Sequence, residues 1–341
     1  MYRCLELARL GAGRVAPNPM VGCVIVHQGK IIGEGFHRDY GKAHAEVNAI
    51  NAVKNQELLV ESTIYVSLEP CAHRGLTPPC SELIIGKKIP KVVIGTIDPF
   101  NAVAGKGIEK LQKAGVTVTT GVLEKECREI NKRFITFHEK KRPYVILKWA
   151  QTLDGFIDIE RTRTNYGQPT WITGDLALRL VHKIRSEENA ILVGRKTALK
   201  DNPSLTTRHW PGHSPVRLLI DKNLQLPKSL HLFDNSHKTF VFNAKKNSVE
   251  LNQSFVKIDF EKNIINQITD FLYHEKILSV IVEGGKQLLE SFIELDLWDE
   301  AHVFTGNKFF SRGIKAPPVL GKLVASEKLD NDVLHVFRNI G

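Results

Sequence analysis

HAEVNAI (44–50) and SLEPCAHRGLTPPC (67–80) are the stretches that decide the fold of the N-terminal part of this 341-residue chain. The first begins with His44, and the second contains Cys71 and Cys80, each directly after a proline. One imidazole and two thiolates can supply three ligands to a tetrahedral Zn²⁺ and leave the fourth position for water. Thiolates favour zinc over Mg²⁺ and Ca²⁺. The pattern therefore predicts a catalytic zinc site.

Glu46 is the residue that makes this more than a metal site. A carboxylate that does not bind the metal can accept a proton from the zinc-bound water and pass it to a leaving amine. Residues two apart on a helix point away from each other, so His44 must lie at the first turn of a helix to share a site with Glu46. The alternative is an unrelated histidine and two buried thiols. The His-x-Glu pair close to two Pro-Cys pairs argues against it.

Composition and charge indicate a globular protein. Hydrophobic residues make up 42% of the chain and the net charge is +10, with basic residues spread along the sequence apart from the run Lys140-Lys141-Arg142. A solvated basic surface is the simplest interpretation, followed by phosphate-bearing ligands. No apolar run is long enough for a membrane helix, and the N-terminus lacks the pattern of a secretion signal. We therefore expect a cytoplasmic protein without a membrane partner.

Five cysteines, an odd number at wide spacing, argue against a disulfide framework. Cys4, Cys23 and Cys127 lie within apolar patterns, and we expect them to fill the core.

Strand and helix patterns alternate twice along the chain. Residues 1–137 predict a sandwich with helices on both faces of a central sheet, closed by one helix over Leu123–Phe137. The polar stretch HEKKRP (138–143) predicts the domain boundary. The alternation restarts at Tyr144, so residues 144–341 predict a second α/β domain.

The zinc motif resembles one particular deaminase family. The general motif of zinc nucleobase deaminases is H-x-E followed by P-C-x-x-C, whereas eight residues separate Cys71 from Cys80 here. That long spacing, with APNPMVGCVIV (16–26) and AGKGIEKLQKAGV (104–116), resembles the deaminase of riboflavin biosynthesis. The resemblance covers essentially the whole chain and implies a cytidine-deaminase-like α/β/α sandwich for the first domain.

The resemblance implies roles for individual residues. His44, Cys71 and Cys80 would bind Zn²⁺, and Glu46 would shuttle the proton. The substrate would be 2,5-diamino-6-(5-phosphoribosylamino)pyrimidin-4(3H)-one, whose 2-amino group would leave as ammonia. Asn18, in a Pro-Asn-Pro turn, would contact the ring, and a residue that only stabilises its own turn is an equally good interpretation. The segment 98–101 (DPFN) departs from the Asp-Pro-Asn-Pro common in the family.

The C-terminal half contains no G-x-G-x-x-G after a strand, so a conventional dinucleotide fold is unsupported. VIVEGG (280–285) instead predicts a strand, paired glycines and a helix, whose N-terminus can bind phosphate. A tight turn explains the glycines equally well. The sequence also resembles the reductase of riboflavin biosynthesis. The resemblance lies in VIVEGG together with KWAQTLDG (148–155), WIT (171–173), GRKT (194–197) and DNPSLT (201–206). The fold of that reductase is similar to dihydrofolate reductase.

The reductase resemblance implies two sets of contacts. NADPH would contact Ala150, Trp171, Thr197, Asp201 and the turn residues Gly285, Lys286, Gln287, Leu288, Leu289, Glu290 and Ser291. The phosphoribosyl substrate would contact Arg185, Leu205, Arg208 and Glu283. Hydride transfer to C1′ would open the ribosyl group to a ribityl chain. As alternatives, Arg185 could be a surface ion-pair residue and Trp171 a core residue; Pro169 stands where the family often has a polar residue.

The resemblance therefore implies a bifunctional enzyme of riboflavin biosynthesis that uses Zn²⁺ and NADPH on a phosphoribosylaminopyrimidine, a small-molecule substrate. No nucleic acid partner is expected, and a homo-oligomer is left open. One rival is a nucleotide or nucleic-acid deaminase with a phosphate-binding C-terminal domain, which the net charge favours slightly and the long cysteine spacing disfavours. The other is a zinc-stabilised regulatory protein without catalysis, against which Glu46 argues because a structural zinc does not need it.

Overall fold

The computed structural model describes residues 1–72, 78–100, 104–162, 164, 166–319 and 321–341. The chain folds into two compact units, Met1–Lys141 and Arg142–Gly341. Within the described residues, no helix is both long enough and apolar enough to span a bilayer.

The first unit is built on a five-stranded sheet of order β2-β1-β3-β4-β5. The strands are β1 (Gly22–His27), β2 (Lys30–Phe36), β3 (Thr63–Leu68), β4 (Lys91–Thr96) and β5 (Thr117–Thr119). The helices are α1 (Tyr2–Arg9), α2 (Ala45–Ala52), α3 (Cys80–Gly86), α4 (Lys106–Lys113), α5 (Glu124–Ile130) and α6 (Lys132–Lys140). β1 pairs antiparallel with both β2 and β3, whereas β3, β4 and β5 run parallel.

Helices cover both faces of this sheet, as predicted. On one face, apolar residues of α2, α3 and α4 pack with Cys23 and Ile64. On the other, α1 and α5 meet through Ala8 and Cys127. Cys4, Cys23 and Cys127 are fully buried, which confirms their predicted place in the core. The parallel arrangement brings the carboxyl ends of β3 and β4 to one edge, where functional groups collect.

The prediction of a single closing helix over Leu123–Phe137 is wrong. Two helices, α5 and α6, meet at Asn131, whose side chain accepts from the Met20 amide at 2.8 Å and donates to the Met20 carbonyl at 2.9 Å. These bonds hold Asn131 at φ −104° and ψ 18°, away from helical values. α6 also continues to Lys140, so the polar stretch that begins at His138 is helical in its first part.

The second unit contains a ten-stranded sheet of order β11-β12-β10-β9-β8-β13-β6-β14-β17-β16 and a separate β15-β7 pair. Its strands are β6 (Tyr144–Thr152), β7 (Phe156–Asp158), β8 (Ala190–Gly194), β9 (Val216–Ile220), β10 (Thr239–Asn243), β11 (Ser248–Glu250), β12 (Gln253–Lys257), β13 (Ser279–Val282), β14 (Glu300–Gly306), β15 (Ile314–Lys315), β16 (Lys322–Leu329) and β17 (Asp332–Arg338). Its helices are α7 (Asp175–Glu187), α8 (Arg195–Asp201), α9 (Ile264–His274) and α10 (Lys286–Glu294).

The central strands of this sheet, from β12 to β14, are parallel. Their buried apolar runs, such as ILV (191–193) in β8, fit strands that are covered on both faces. α8 was not predicted as a helix. It is a two-turn helix directly after β8, and its single buried apolar residue, Ala198, gives too little periodicity to reveal it from sequence.

We expect Gly22→Ala to lower the free energy of unfolding by about 1–3 kcal/mol, the usual cost of overpacking. A Cβ at Gly22 would lie 1.9 Å from the Cys4 carbonyl oxygen and 2.9 Å from the Ala8 amide nitrogen, and neither backbone group of α1 can move alone. Urea unfolding followed by far-ultraviolet circular dichroism measures the effect.

Gly86→Ala is the matched control, because a Cβ there meets nothing within 4 Å and alanine favours the helix. Equal stability of Gly22→Ala and the wild type would contradict the packing of α1 on β1.

Candidate active sites

Three side chains of the first unit meet as the zinc motif requires. Nδ1 of His44 lies 3.6 Å from Sγ of Cys71 and 3.4 Å from Sγ of Cys80. Within the described residues, these three form the one group of histidine, cysteine and carboxylate side chains placed to hold a metal ion. Residues 73–77, between the cysteines, lie outside the described residues.

The spacing of these atoms fits zinc. In a tetrahedral site with Zn–S of about 2.3 Å and Zn–N of about 2.0 Å, nitrogen and sulfur ligands lie about 3.5 Å apart. The two observed nitrogen–sulfur distances bracket this value. The residues present therefore suit a Zn²⁺ ion with three protein ligands.

Local structure explains how the three ligands converge. His44 is the N-cap of α2 and has extended φ and ψ, so it lies at the helix start as the His-x-Glu spacing demands. Cys71 follows the end of β3, and Cys80 is the first residue of α3. The Cys80 amide donates to Sγ of Cys71 at 3.3 Å, and the Ser81 amide and hydroxyl donate to the Cys71 carbonyl. These bonds fix the two cysteines against each other.

Glu46 lies beside the ligands in the first turn of α2, and its side chain is buried. Burial raises the pKa of the Glu46 carboxyl to about 7, with a further contribution from Cys71. Hydrogen bonds from Cys80 and from His44 lower the pKa of the Cys71 thiol, whereas that of Cys80 is raised. The surroundings of Cys71 therefore favour the thiolate, which is the form that binds a metal, and Glu46 lies next to this pair.

Glu69 anchors the loop that carries Cys71, and sequence analysis gave it no role. Its buried carboxylate accepts four backbone amides: Gly107 at 2.9 Å, Gly105 at 3.0 Å, and Asp98 and Ile108 at 3.3 Å. Three of these amides lie at the N-terminus of α4, where the helix dipole favours an anion. Glu69 therefore ties the ligand loop to α4 and to the end of β4.

His37 is a second residue that sequence analysis missed. Its Nδ1 donates to the Ala43 carbonyl at 3.1 Å, so Nε2 accepts from the Asn18 side-chain amide, also at 3.1 Å. Its ring packs edge-on against that of His44, with 5.3 Å between the centroids. Burial lowers the pKa of His37, which keeps it a neutral acceptor. The bond turns the Asn18 amide nitrogen toward His37 and leaves its oxygen available to a ligand.

The segment where the sequence departs from the family motif begins at Asp98, whose Oδ1 accepts the Phe100 amide at 2.8 Å. Burial raises the pKa of the Asp98 carboxyl to about 6. Asn101 lies outside the described residues.

The second unit contains a cavity of about 690 Å³ at the carboxyl ends of the parallel strands. Its described lining includes many of the predicted contact residues: Ala150, Thr197, Asp201, Leu205, Glu283 and Gly285 to Ser291. Seven lysines and arginines line it against four aspartates and glutamates, so the cavity favours an anionic ligand. Within the described lining, Trp171, Arg185 and Arg208 are absent.

The glycine turn after β13 forms one wall of this cavity. Gly284 has φ +92°, a conformation that favours glycine, and its carbonyl accepts the Gly194 amide at 3.0 Å. A Cβ at Gly285 would lie 3.3 Å from Oγ1 of Thr197. The turn therefore brings the N-terminus of α10 close to α8, and the free amides of α10 suit a phosphate.

Arg185 forms a buried bidentate ion pair with Glu283, with nitrogen–oxygen distances of 3.0 and 2.7 Å. The alternative of a surface ion pair is thus wrong. Lys148, from the apolar strand β6, lines the cavity near this pair, and burial lowers its pKa. No role was predicted for Lys148, although a lysine within the apolar strand YVILKWA (144–150) is an available signal.

Arg208 and Trp171 lie outside the cavity wall. The Arg208 guanidinium donates to Oγ1 of Thr206 at 3.1 Å, and the Thr206 carbonyl accepts from Arg185 at 3.4 Å. Trp171 is 57% exposed, so its alternative place in the core is wrong. Its neighbours Thr170 and Ile172 line the cavity.

Family models match both halves of the chain. Residues 1–96 match the cytidine and deoxycytidylate deaminase zinc-binding region. Residues 143–333 match the RibD C-terminal domain. Together with the two sites, these matches define a zinc-dependent deaminase joined to a reductase.

Relatives of similar length share both halves. The riboflavin biosynthesis protein RibD of Aquifex aeolicus is 40% identical over 319 residues, covering 92% of this chain and 88% of the relative. The riboflavin biosynthesis protein RibD of Escherichia coli is 32% identical, and the match covers 98% of this chain and 95% of the relative. A crystal structure of a diaminohydroxyphosphoribosylaminopyrimidine deaminase/5-amino-6-(5-phosphoribosylamino)uracil reductase from Thermotoga maritima is 39% identical, with a TM-score of 0.89 over 99% of this chain and 97% of that one.

The chain belongs to the RibD family, the bifunctional deaminases and reductases of riboflavin biosynthesis. The predicted fold class and the predicted bifunctional activity are confirmed, with a cytidine-deaminase-like unit before a dihydrofolate-reductase-like one. The zinc-binding region supports Zn²⁺ in the first unit, and the reductase domain implies a nicotinamide cofactor in the second.

We expect Glu69→Gln to weaken zinc binding about tenfold, because the amide NH₂ group of glutamine would face backbone donors and release the Cys71 loop. Competition with a chromogenic chelator measures the zinc dissociation constant. Glu61→Gln, at an exposed glutamate of the same unit, is the control. Wild-type zinc affinity in Glu69→Gln would show that the anchor does not support the metal site.

Proposed function

We propose that the first unit deaminates 2,5-diamino-6-(5-phosphoribosylamino)pyrimidin-4(3H)-one to 5-amino-6-(5-phosphoribosylamino)uracil. His44, Cys71 and Cys80 would hold Zn²⁺, which would lower the pKa of a water at the open position and so supply the nucleophile. The observation that carries this proposal is the convergence of one imidazole and two thiol groups beside a buried carboxylate.

Glu46 carries the proton in this proposal. Its carboxylate accepts a proton from the attacking water and delivers it to the 2-amino group, which departs as ammonia. Burial suits the role, since it moves the pKa of Glu46 close to neutral pH, where one group can both take and give a proton. The oxygen of Asn18, oriented by His37, accepts a hydrogen bond from the pyrimidine ring.

Glu46→Gln should retain zinc and the fold but lose deaminase activity by at least about 10²-fold, the usual contribution of a general acid–base group. Zinc content by atomic emission and ammonia release from the diaminopyrimidinone give the two readouts. Glu57→Gln, at an exposed glutamate, should behave as the wild type in both. Loss of zinc from Glu46→Gln would instead make Glu46 a ligand.

For the second unit, the proposal is an NADPH-dependent reduction of the ribosyl group to ribityl. NADPH would supply a hydride to C1′ of the substrate, where the C1′–O4′ bond breaks and O4′ takes a proton to become the 4′-hydroxyl. Thr197, Asp201, Ala150 and the turn Gly285–Ser291 line the cavity and hold the cofactor, and Trp171 would contact the part of the cofactor that extends beyond the cavity wall. The cationic lining of the cavity supports a dinucleotide with several phosphate groups, and Arg195, Lys196 and Lys222 suit its 2′-phosphate.

The buried end of the cavity is suited to the deaminated pyrimidine. Glu283, held by Arg185, presents carboxylate oxygens to ring N–H groups, and Lys148 beside them can donate to a ring carbonyl. Leu205 contributes an apolar wall. Arg185 acts through its ion pair with Glu283. Arg208, joined to Arg185 through Thr206, lies outside the cavity wall and would bind a substrate phosphate that extends beyond it.

Arg208→Gln should raise KM of the reductase for the phosphorylated substrate roughly 10- to 100-fold, through loss of a charge-assisted hydrogen bond. KM for the dephosphorylated analogue should not change, since that analogue has no phosphate to bind. NADPH oxidation measured at 340 nm gives both values, and the exposed Arg179→Gln is the control. Equal effects on both substrates would refute a phosphate contact.

A further inference from the structure

A segment between β7 and α7 contributes to the wall of the cavity. It leaves β7 after Asp158 and reaches α7 at Asp175, and its described residues are 159–162, 164 and 166–174. Thr170 and Ile172 from this segment line the cavity, as do Thr197 and Asp201 of α8. Ile172 is its one fully apolar buried side chain among the described residues, so apolar packing alone does not fix the segment.

A single guanidinium supplies the missing connections. The side chain of Arg161 is only 4% exposed. Its Nε donates to Oδ1 of Asp158 at 2.9 Å, and Nη1 donates to the Gln168 carbonyl at 2.7 Å and to the Lys200 carbonyl at 3.1 Å. Nη1 also lies 2.7 Å from Oδ1 of Asp201. Arg161 thus joins the end of β7, the returning segment and the end of α8.

Neighbouring bonds strengthen the same connection. The Gly167 amide donates to the Lys200 carbonyl at 2.7 Å, and Oγ1 of Thr170 donates to Oδ1 of Asp158 at 2.9 Å. The oxygen of Asp158 therefore binds Arg161 and Thr170 together. Because Thr170 lines the cavity and shares an Asp158 oxygen with Arg161, displacement of Arg161 would also shift the cavity wall at Thr170.

The acceptors around this position suit an arginine better than a lysine. Asp158 and Asp201 are two carboxylates near one guanidinium, and burial raises the pKa of Asp201 while Arg161 opposes that shift. Carbonyls at the end of α8 also favour a cation. A guanidinium has five donors in a planar fork and can reach several acceptors at once, whereas a lysine ammonium is a point charge that cannot span them.

We propose that Arg161 is a positioning residue of the reductase, which fastens the 159–174 segment to α8 and so holds both walls of the cofactor cavity at their working distance. This inference rests on the proposed function, in which α8 and this segment contact NADPH. Arg161 itself lines the cavity, but its Nε and Nη1 are engaged by Asp158, Asp201 and the carbonyls of Gln168 and Lys200, so we assign it no contact with the reacting atoms. It acts through Asp201 and Thr170, and cofactor affinity is the quantity it controls.

The test compares Arg161→Lys and Arg161→Met with the wild type. Arg161→Lys keeps the positive charge, so the two carboxylates remain compensated and the fold is retained, but the multiple contacts are lost. We expect Kd and KM for NADPH to rise about tenfold in Arg161→Lys and further in Arg161→Met, because the cofactor must then order the segment itself. kcat at saturating NADPH should stay within about twofold, since hydride transfer is not altered.

Three readouts separate positioning from a structural role. Protein fluorescence quenching gives Kd for NADPH, NADPH oxidation gives KM and kcat, and ammonia release reports the deaminase, which should be unchanged. Arg179→Met, at an exposed arginine of α7, should match the wild type throughout. Wild-type Kd and KM in Arg161→Lys, or a fall in kcat with KM unchanged in either variant, would overturn the proposal.

Measurements on the wild-type protein show whether a negative result contradicts the cofactor assignment or only the role of Arg161. If the wild type neither binds nor oxidises NADPH, the cofactor assignment fails and the role of Arg161 fails with it. If the wild type oxidises NADPH normally and Arg161→Lys does so with the same KM, the positioning role alone is wrong. Should Arg161→Met fail to fold, Arg161→Lys decides the outcome.

Discussion

The close approach of His44 to Cys71 and Cys80 is the constraint on which the deaminase unit depends. The side chains come from three separate elements: the start of α2, the end of β3 and the start of α3. Nδ1 of His44 must lie about 3.5 Å from each Sγ for the three to bind one zinc ion. Glu69 and its four backbone donors hold the middle element in place. The surrounding sheet and helices supply this geometry.

Both units place their chemistry at the carboxyl ends of parallel strands. Cys71 follows β3 in the first unit, and the glycine turn follows β13 in the second. Strand carboxyl ends lead into loops and helix N-termini, which offer free amides and exposed side chains to a ligand. Both candidate sites thus lie at the carboxyl ends of parallel strands. The site in the first unit offers thiols and a carboxylate, and the site in the second offers cationic side chains.

The grouping of His44, Cys71 and Cys80 was predictable from sequence, whereas the residues that anchor the loops around the two candidate sites were not. His44, Cys71 and Cys80 can be recognised in the sequence because metal ligands require particular residue types at short spacing. Glu69 binds amides 29 to 39 residues away, and Arg161 binds a carbonyl 39 residues away. No local pattern records such contacts. The break at Asn131 was missed for the same reason, since its partner is the distant backbone of Met20.

The zinc-edge X-ray absorption spectrum of the purified protein tests the central claim most directly. The account predicts one equivalent of zinc with two sulfur neighbours at about 2.3 Å and two nitrogen or oxygen neighbours at about 2.0 Å, one of them from solvent. A shell of oxygen and nitrogen alone would contradict it, as would a closed shell in which Glu46 replaces the solvent ligand.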